Sequence, residues 1–145
     1  MPLTITRLTA ASAPALEAFL RAEGGEEAML NLREARAGYE LLASDSFWLL
    51  LAALDGAPAG LAAVARVPKA DARVGFLWVD ELRVLPAFRR QGVATALLKH
   101  AAALAGELGL AGVRLLVRPE NEAARALYRR LGFDEQATLF CERRG

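Results

Sequence analysis

Apolar positions along this chain follow two rhythms, and the switches between them predict its elements. Leu3 to Leu8 alternates apolar and polar residues over a β-rich stretch and predicts an opening strand. Ser12 suits a helix N-cap, with Pro14 tolerated in the first turn, so a helix is expected to about Arg21, before Gly24-Gly25 breaks it. Met29, Leu32, Ala35, Tyr39 and Leu42 recur at helical spacing and predict a second helix from about Glu26 to Ala43. Phe47 to Leu54 is an almost unbroken apolar run. Asp55-Gly56 then signals a hairpin into a strand from about Pro58 to Val67. Pro68-Lys69-Ala70-Asp71 turns the chain into a third strand, about Ala72 to Val84, which Pro86 ends because it has no N–H to give a ladder. Helical spacing returns in Val93, Ala94, Leu97, Leu98 and Ala101 and runs to about Leu108. A strand Val113–Val117, a helix Asn121–Arg130 and a last strand after Gly132-Phe133 complete the expectation. A strand reached through a helix is a crossover, so Val113–Val117 should lie parallel to Val79–Val84. The fold class is α/β, an α+β mixed sheet with about four helices.

Composition narrows the function classes. The 145 residues suit one domain, 1–145, with a single core. Hydrophobic residues at 54% and charged residues at 24% describe a globular chain, and the net charge of +1 argues against a broad nucleic-acid face. Cys141 is the only cysteine and His100 the only histidine, which disfavours an internal disulfide, a zinc site and a Ser-His-Asp triad. Cys141 is expected to pack within the last strand. No uninterrupted apolar run reaches membrane-spanning length, so a cytoplasmic protein without a membrane partner is the expectation.

The chemistry concentrates between Val79 and Leu98. A strand ends at Pro86, a basic turn follows, and a helix begins with the small residues Gly92 and Ala94. Small residues leave the first N–H groups uncovered. These donors and the positive end of the helix dipole make an anion site, with Arg89 and Arg90 adding charge beside it. The same residues also suit an ordinary strand–helix turn with solvated arginines.

Arg89-x-x-Gly92-x-Ala94 resembles the acyl-CoA pyrophosphate loop of the GNAT superfamily of N-acetyltransferases. Downstream, the run from Asn121 through Ala124 and Tyr128 to Gly132-Phe133 is similar to that family's Asn-x-x-Ala-x-x-x-Tyr…Gly-Phe segment. The resemblance covers roughly residues 47 to 136. It implies a GNAT-like fold in which two central parallel strands splay apart and acetyl-CoA, the acyl donor, lies in the opening; no metal is implied. The backbone of Leu82, Arg83 and Val84 would hydrogen-bond the pantetheine arm and acyl carbonyl, with an N–H near Leu82 for the oxyanion. The amides of Arg89, Arg90, Gln91, Gly92, Val93, Ala94 and Thr95 would hold the pyrophosphate.

The resemblance also assigns roles to side chains. Tyr128 matches the tyrosine that faces the CoA sulfur, and a phenol can protonate a leaving thiolate. It equally suits a helix tyrosine packed on the sheet beside Ala124, Leu127 and Leu131. Asn121 matches a pantetheine- or sulfur-contacting residue, and it suits an N-cap as well. Asp80 and Glu81 both lie where the family places a base, although either could be an ion-pair partner of Arg83 or a neighbouring helix. Alternation lets only one of them face the cleft, and Asp80 is favoured for sharing a face with Leu82.

The acceptor cleft would be built from Glu23, Glu26, Glu27, Tyr39, Phe47 and Trp78. The three acids could draw a cationic amine or merely solvate helix ends. The reaction implied is direct transfer to a primary amine, with a small-molecule acceptor preferred over a peptide or protein. A non-catalytic acyl-CoA-binding regulatory domain is the other class; it would keep the loop without needing Tyr128 or the acids. Only a dozen residues follow Gly132-Phe133, which implies a shortened closing hairpin and leaves a homodimer contact open.

Overall fold

The computed structural model describes residues 2–24, 42–70 and 74–145. Most of the expected second helix, with Glu26, Glu27, Met29, Leu32, Ala35 and Tyr39, lies outside them, as does the expected start of the third strand at Ala72. Five strands form one sheet in sequence order. They are β1 (Leu3–Arg7), β2 (Phe47–Leu54), β3 (Ala57–Val67), β4 (Phe76–Val84) and β5 (Val113–Leu115). The first four pair antiparallel, and β5 pairs parallel to β4. The mixed sheet and its parallel pair agree with the expectation. The described helices are α1 (Ala13–Gly24), α2 (Val93–Glu107) and α3 (Glu122–Arg130).

The sheet is covered on both faces. On one side the apolar stripe of α2, Val93, Leu97, Leu98, Ala101 and Ala105, meets Leu50, Ala52, Ala62, Val64, Leu77 and Val79 in the main core. On the other, Leu16 and Phe19 of α1 join Leu8, Leu51, Leu61 and Leu85. Both faces of β2 and β3 are therefore apolar, which is why those strands read as runs and not as alternation. α1 continues three residues past the expected Arg21, and the Asp55–Gly56 turn takes positive φ at both residues, as a two-residue hairpin requires.

Gly60 sets how closely α2 approaches. A Cβ there would lie 2.6 Å from Val93 Cγ1, 3.1 Å from Arg83 O and 3.2 Å from Leu97 Cδ1. The helix N-terminus thus seats directly over β3 and β4.

The C-terminal region departs from expectation. Residues 133–145 form no strand, and Cys141 is exposed where a packed position was expected. The β-prone run there has no neighbouring strand to complete its hydrogen bonds. β5 likewise stops at Leu115, two residues short of the expected Val117.

Candidate active site

The site begins with an irregularity in β4. Glu81 pairs with Ala63 and Val79 with Val64, so Asp80 has no counterpart on β3 and forms a β-bulge. The bulge inverts which residues face which neighbour. Before it, Leu77 N–H donates to Gly112 O on the β5 side (2.9 Å). After it, Leu85 N–H donates to Ala59 O on the β3 side (2.9 Å), and Arg83 O also lies toward Gly60 of β3. Odd-numbered residues therefore turn to β5 before Asp80 and to β3 after it.

The parallel pairing of β4 with β5 ends at Val79–Leu115. From Asp80 to Val84 the edge of β4 on that side is open among the described strands. The bulge directs the main-chain groups of Leu82 and Val84 toward this edge. Of the three residues expected to offer their backbone here, Leu82 and Val84 have it free, whereas Arg83 engages β3 opposite Leu61. Alternation counted along an unbroken strand does not reveal this, because the bulge resets the count.

The open edge leads to the anion loop. A 3₁₀ turn, Pro86–Phe88, carries the chain to Arg89, where the backbone is extended again. Arg90 then takes φ +63°, a left-handed conformation unusual for a residue with a Cβ, and Gln91 braces the turn by donating Nε2–H to Ala87 O (3.2 Å). Gly92 is the N-cap of α2 at φ +80° and carries no capping side chain. The first helical bond runs from Ala96 N–H to Gly92 O (3.0 Å), so the N–H groups of Val93, Ala94 and Thr95 precede it. A Cβ at Gly92 would meet nothing within 4 Å, so the N-cap residue itself borders open space. Arg89, Arg90 and Gln91 are exposed around it.

Tyr128 comes from α3. Asn121 caps that helix, its Oδ1 accepting from Ala124 N–H at 3.2 Å, as one of its two sequence readings proposed. The helix closes with Gly132 at φ +90°; Gly132 N–H donates to Arg129 O (3.1 Å) and Phe133 N–H to Tyr128 O (3.0 Å). This is a Schellman closure, in which the residue after the glycine packs on the third residue from the helix end. Here those two residues are Phe133 and Tyr128, with ring centroids 5.7 Å apart. The Tyr…Gly-Phe spacing is thus a helix-ending device that fixes the tyrosine ring. Tyr128 packs on the same core as Leu82 and Val84. Its half-burial raises the phenol pKa above the usual 10, keeping it protonated at neutral pH.

The two acids separate. Glu81 Oε2 lies 3.6 Å from Arg83 Nη2, while Arg83 Nη1 bonds Glu23 Oε1 of α1 at 2.7 Å and the guanidinium lies 5.8 Å from the Phe19 ring centroid. The ion-pair reading of Glu81 is thereby met. Asp80 is exposed at the bulge and has no ion-pair partner among the described residues. Gly60 and the pairing of Arg83 with Glu23 were not singled out, and Phe133 was quoted in the matching segment without a role at the site. For Phe133 the signal was present, since Gly132-Phe133 follows Tyr128 at the spacing of a helix closure.

Comparison with known proteins agrees with this geometry. A family model described as the acetyltransferase (GNAT) family matches residues 12–133. An aminoglycoside acetyltransferase from an uncultured soil metagenomic sample is similar, with a TM-score of 0.84, 26% identity and 100% of both chains covered. The structure of AAC(6')-Iy with the bisubstrate analog CoA-S-monomethyl-acetylneamine gives a TM-score of 0.78 at 19% identity, again over 100% of both chains. A transcriptional regulator from Bacillus halodurans C-125 gives 0.80 at 20% identity, covering 98% of this chain and 99% of that one. The last two likenesses attest to the fold. No protein of curated function matches the chain in sequence. No described helix is long and apolar enough to cross a membrane. With the family model spanning most of its length, over a split parallel strand pair and an uncapped helix N-terminus, the chain belongs to the acetyltransferase (GNAT) family.

Proposed function

We propose that this protein transfers the acetyl group of acetyl-CoA directly to the primary amine of a small, cationic acceptor. The observation that carries the reading is the bulge at Asp80, which turns Leu82 and Val84 to an open strand edge leading to the bare N-terminus of α2. An extended pantetheine arm would add to that edge as a strand does, and its pyrophosphate would reach the N–H groups of Gly92 to Thr95 beside Arg89 and Arg90.

In the reaction the amine nitrogen attacks the thioester carbonyl carbon, and the Leu82 N–H stabilises the tetrahedral oxyanion. The C–S bond then breaks, and the thiolate takes the proton of the Tyr128 hydroxyl, which burial keeps in place. The proton released by the amine goes to the Asp80 carboxylate, directly or through water. Glu81 is the less suitable base because its carboxylate is turned toward the Arg83 guanidinium, which α1 holds through Glu23. Asn121 Oδ1 is occupied as a cap, which leaves its amide N–H groups for the pantetheine. The small cationic acceptor is supported by the likeness to an aminoglycoside acetyltransferase over the whole chain.

Equilibrium titration with acetyl-CoA, followed by mass spectrometry of a panel of amines incubated with both, tests the reading. Saturable binding and a product heavier by one acetyl group on small polyamines or aminoglycosides is expected. Absence of acetyl-CoA binding would overturn it.

A further inference from the structure

We propose that Arg125 is a positioning residue of the reaction: with Glu135 it ties α3 to the chain on either side of it and so holds the Tyr128 hydroxyl in place for the leaving thiolate. The inference rests on the acetyl transfer proposed above, with Tyr128 as its acid. α3 needs such a tie. It is nine residues long, and none of them is fully buried. A helix this short is marginal on its own, and a partly buried face anchors it only loosely to the sheet. Proton transfer is less forgiving, since a catalytic group displaced by about 1 Å can cost about 10²-fold in rate.

The Arg125 guanidinium supplies what the packing lacks. Its Nη1–H donates to Pro119 O (2.9 Å), two residues before the Asn121 cap, and ties α3 to the chain that enters it. Its other edge meets the segment that leaves. Nε–H donates to Glu135 Oε1 (3.3 Å) and Nη2–H to Glu135 Oε2 (2.7 Å). Arg129, one helical turn on, places Nε 2.6 Å from the same Oε1. One side chain thus bonds the segments before and after the helix. Glu135 lies two residues beyond Phe133, whose ring packs on Tyr128. That segment is therefore fixed twice, where Phe133 N–H donates to Tyr128 O and again at the carboxylate. A lone exposed ion pair contributes little, but a bidentate fork shared with a second arginine and a main-chain carbonyl restricts geometry. A lysine ammonium is a point donor without the planar fork that engages Pro119 O and both carboxylate oxygens.

A double-mutant cycle between Arg125→Gln and Tyr128→Phe, read in kcat and in affinity for acetyl-CoA, tests the proposal. Alone, Arg125→Gln should lower kcat about tenfold and leave acetyl-CoA affinity within about twofold. Added to Tyr128→Phe, it should lower kcat by less than about twofold more, because the acid it positions is already gone. Arg125→Lys should recover only a minor part of the loss. Glu135→Gln keeps both arginines and runs through the same cycle, so the test stands even if Arg125→Gln folds poorly. Losses that simply multiply would mean that the tie serves the fold alone and would overturn the proposal, as would an unchanged kcat in Arg125→Gln and Glu135→Gln. A fully active Tyr128→Phe would instead overturn the underlying reading of the reaction, and this inference with it.

Discussion

Leu77 and Leu82, five residues apart on β4, lie on the same side of the sheet, both against the core beneath α2. An unbroken strand would place them on opposite faces. The bulge at Asp80 reconciles them, and the same inversion turns the Leu82 and Val84 main chain to the open edge.

Deleting Asp80 and replacing its side chain should therefore have different effects. The deletion restores plain alternation with Leu77, Val79, Leu82 and Val84 still on the core face, and removes the bend and added twist that the bulge puts into β4. Acetyl-CoA binding is expected to fall at least about tenfold as the edge from Leu82 to Val84 loses that bend, with the core face and the fold retained. Asp80→Ala keeps the bulge; binding should stay within about twofold while turnover falls by about 10²-fold. Titration calorimetry beside steady-state kinetics separates the two.

Gly60→Val tests the seating of α2. The first methine carbon already meets Val93 Cγ1 at 2.6 Å, so the helix start must move. Overpacking of this kind costs about 1–3 kcal/mol. Denaturant unfolding should show that loss, and affinity for acetyl-CoA should fall because Val93 begins the anion-binding turn.

Phe133→Ala removes the ring that packs on Tyr128 while leaving the backbone closure of α3 intact. Half-buried, it should cost about 2 kcal/mol, below the full-burial range for phenylalanine truncation. The phenol would lose its fixed orientation. We expect kcat to fall several-fold with a smaller change in KM for acetyl-CoA, and Phe133→Leu to recover most of both.

Acid should loosen the anchor of the C-terminal segment. Arg125 and Arg129 hold the Glu135 carboxyl at about 2, well below the ordinary 4.5. A depressed folded value means that the contribution is complete above about 4.5 and is lost as pH falls toward 2. Melting temperatures of wild type and Glu135→Gln should differ at pH 6 and converge as pH falls toward 2. A constant difference across that range would contradict the ion-pair account.

Much of this was legible in the sequence. Asp55-Gly56, the apolar run Phe47–Leu54 and the helical spacing from Val93 each contain their element's physics locally. The Arg89-x-x-Gly92-x-Ala94 loop could be read because an uncapped helix start needs small residues at fixed positions. The bulge was not legible, since Asp80-Glu81-Leu82 reads as plain alternation and only the register opposite Ala63 and Val64 reveals the extra residue. Nor was the open C-terminal segment: Thr138-Leu139-Phe140 has strand propensity, but a strand exists only where an edge is available to receive it.

The most direct test measures thiol release from acetyl-CoA across small polyamines, aminoglycosides and peptide amines, for wild type and Tyr128→Phe. We predict amine-dependent release on a small cationic acceptor, at least about 10²-fold slower in the variant although it still binds acetyl-CoA. The wild-type rate should hold into alkaline pH, because half-burial raises the phenol's pKa above its ordinary value and keeps the proton in place. Binding without release on any amine would contradict the account, as would full activity in Tyr128→Phe.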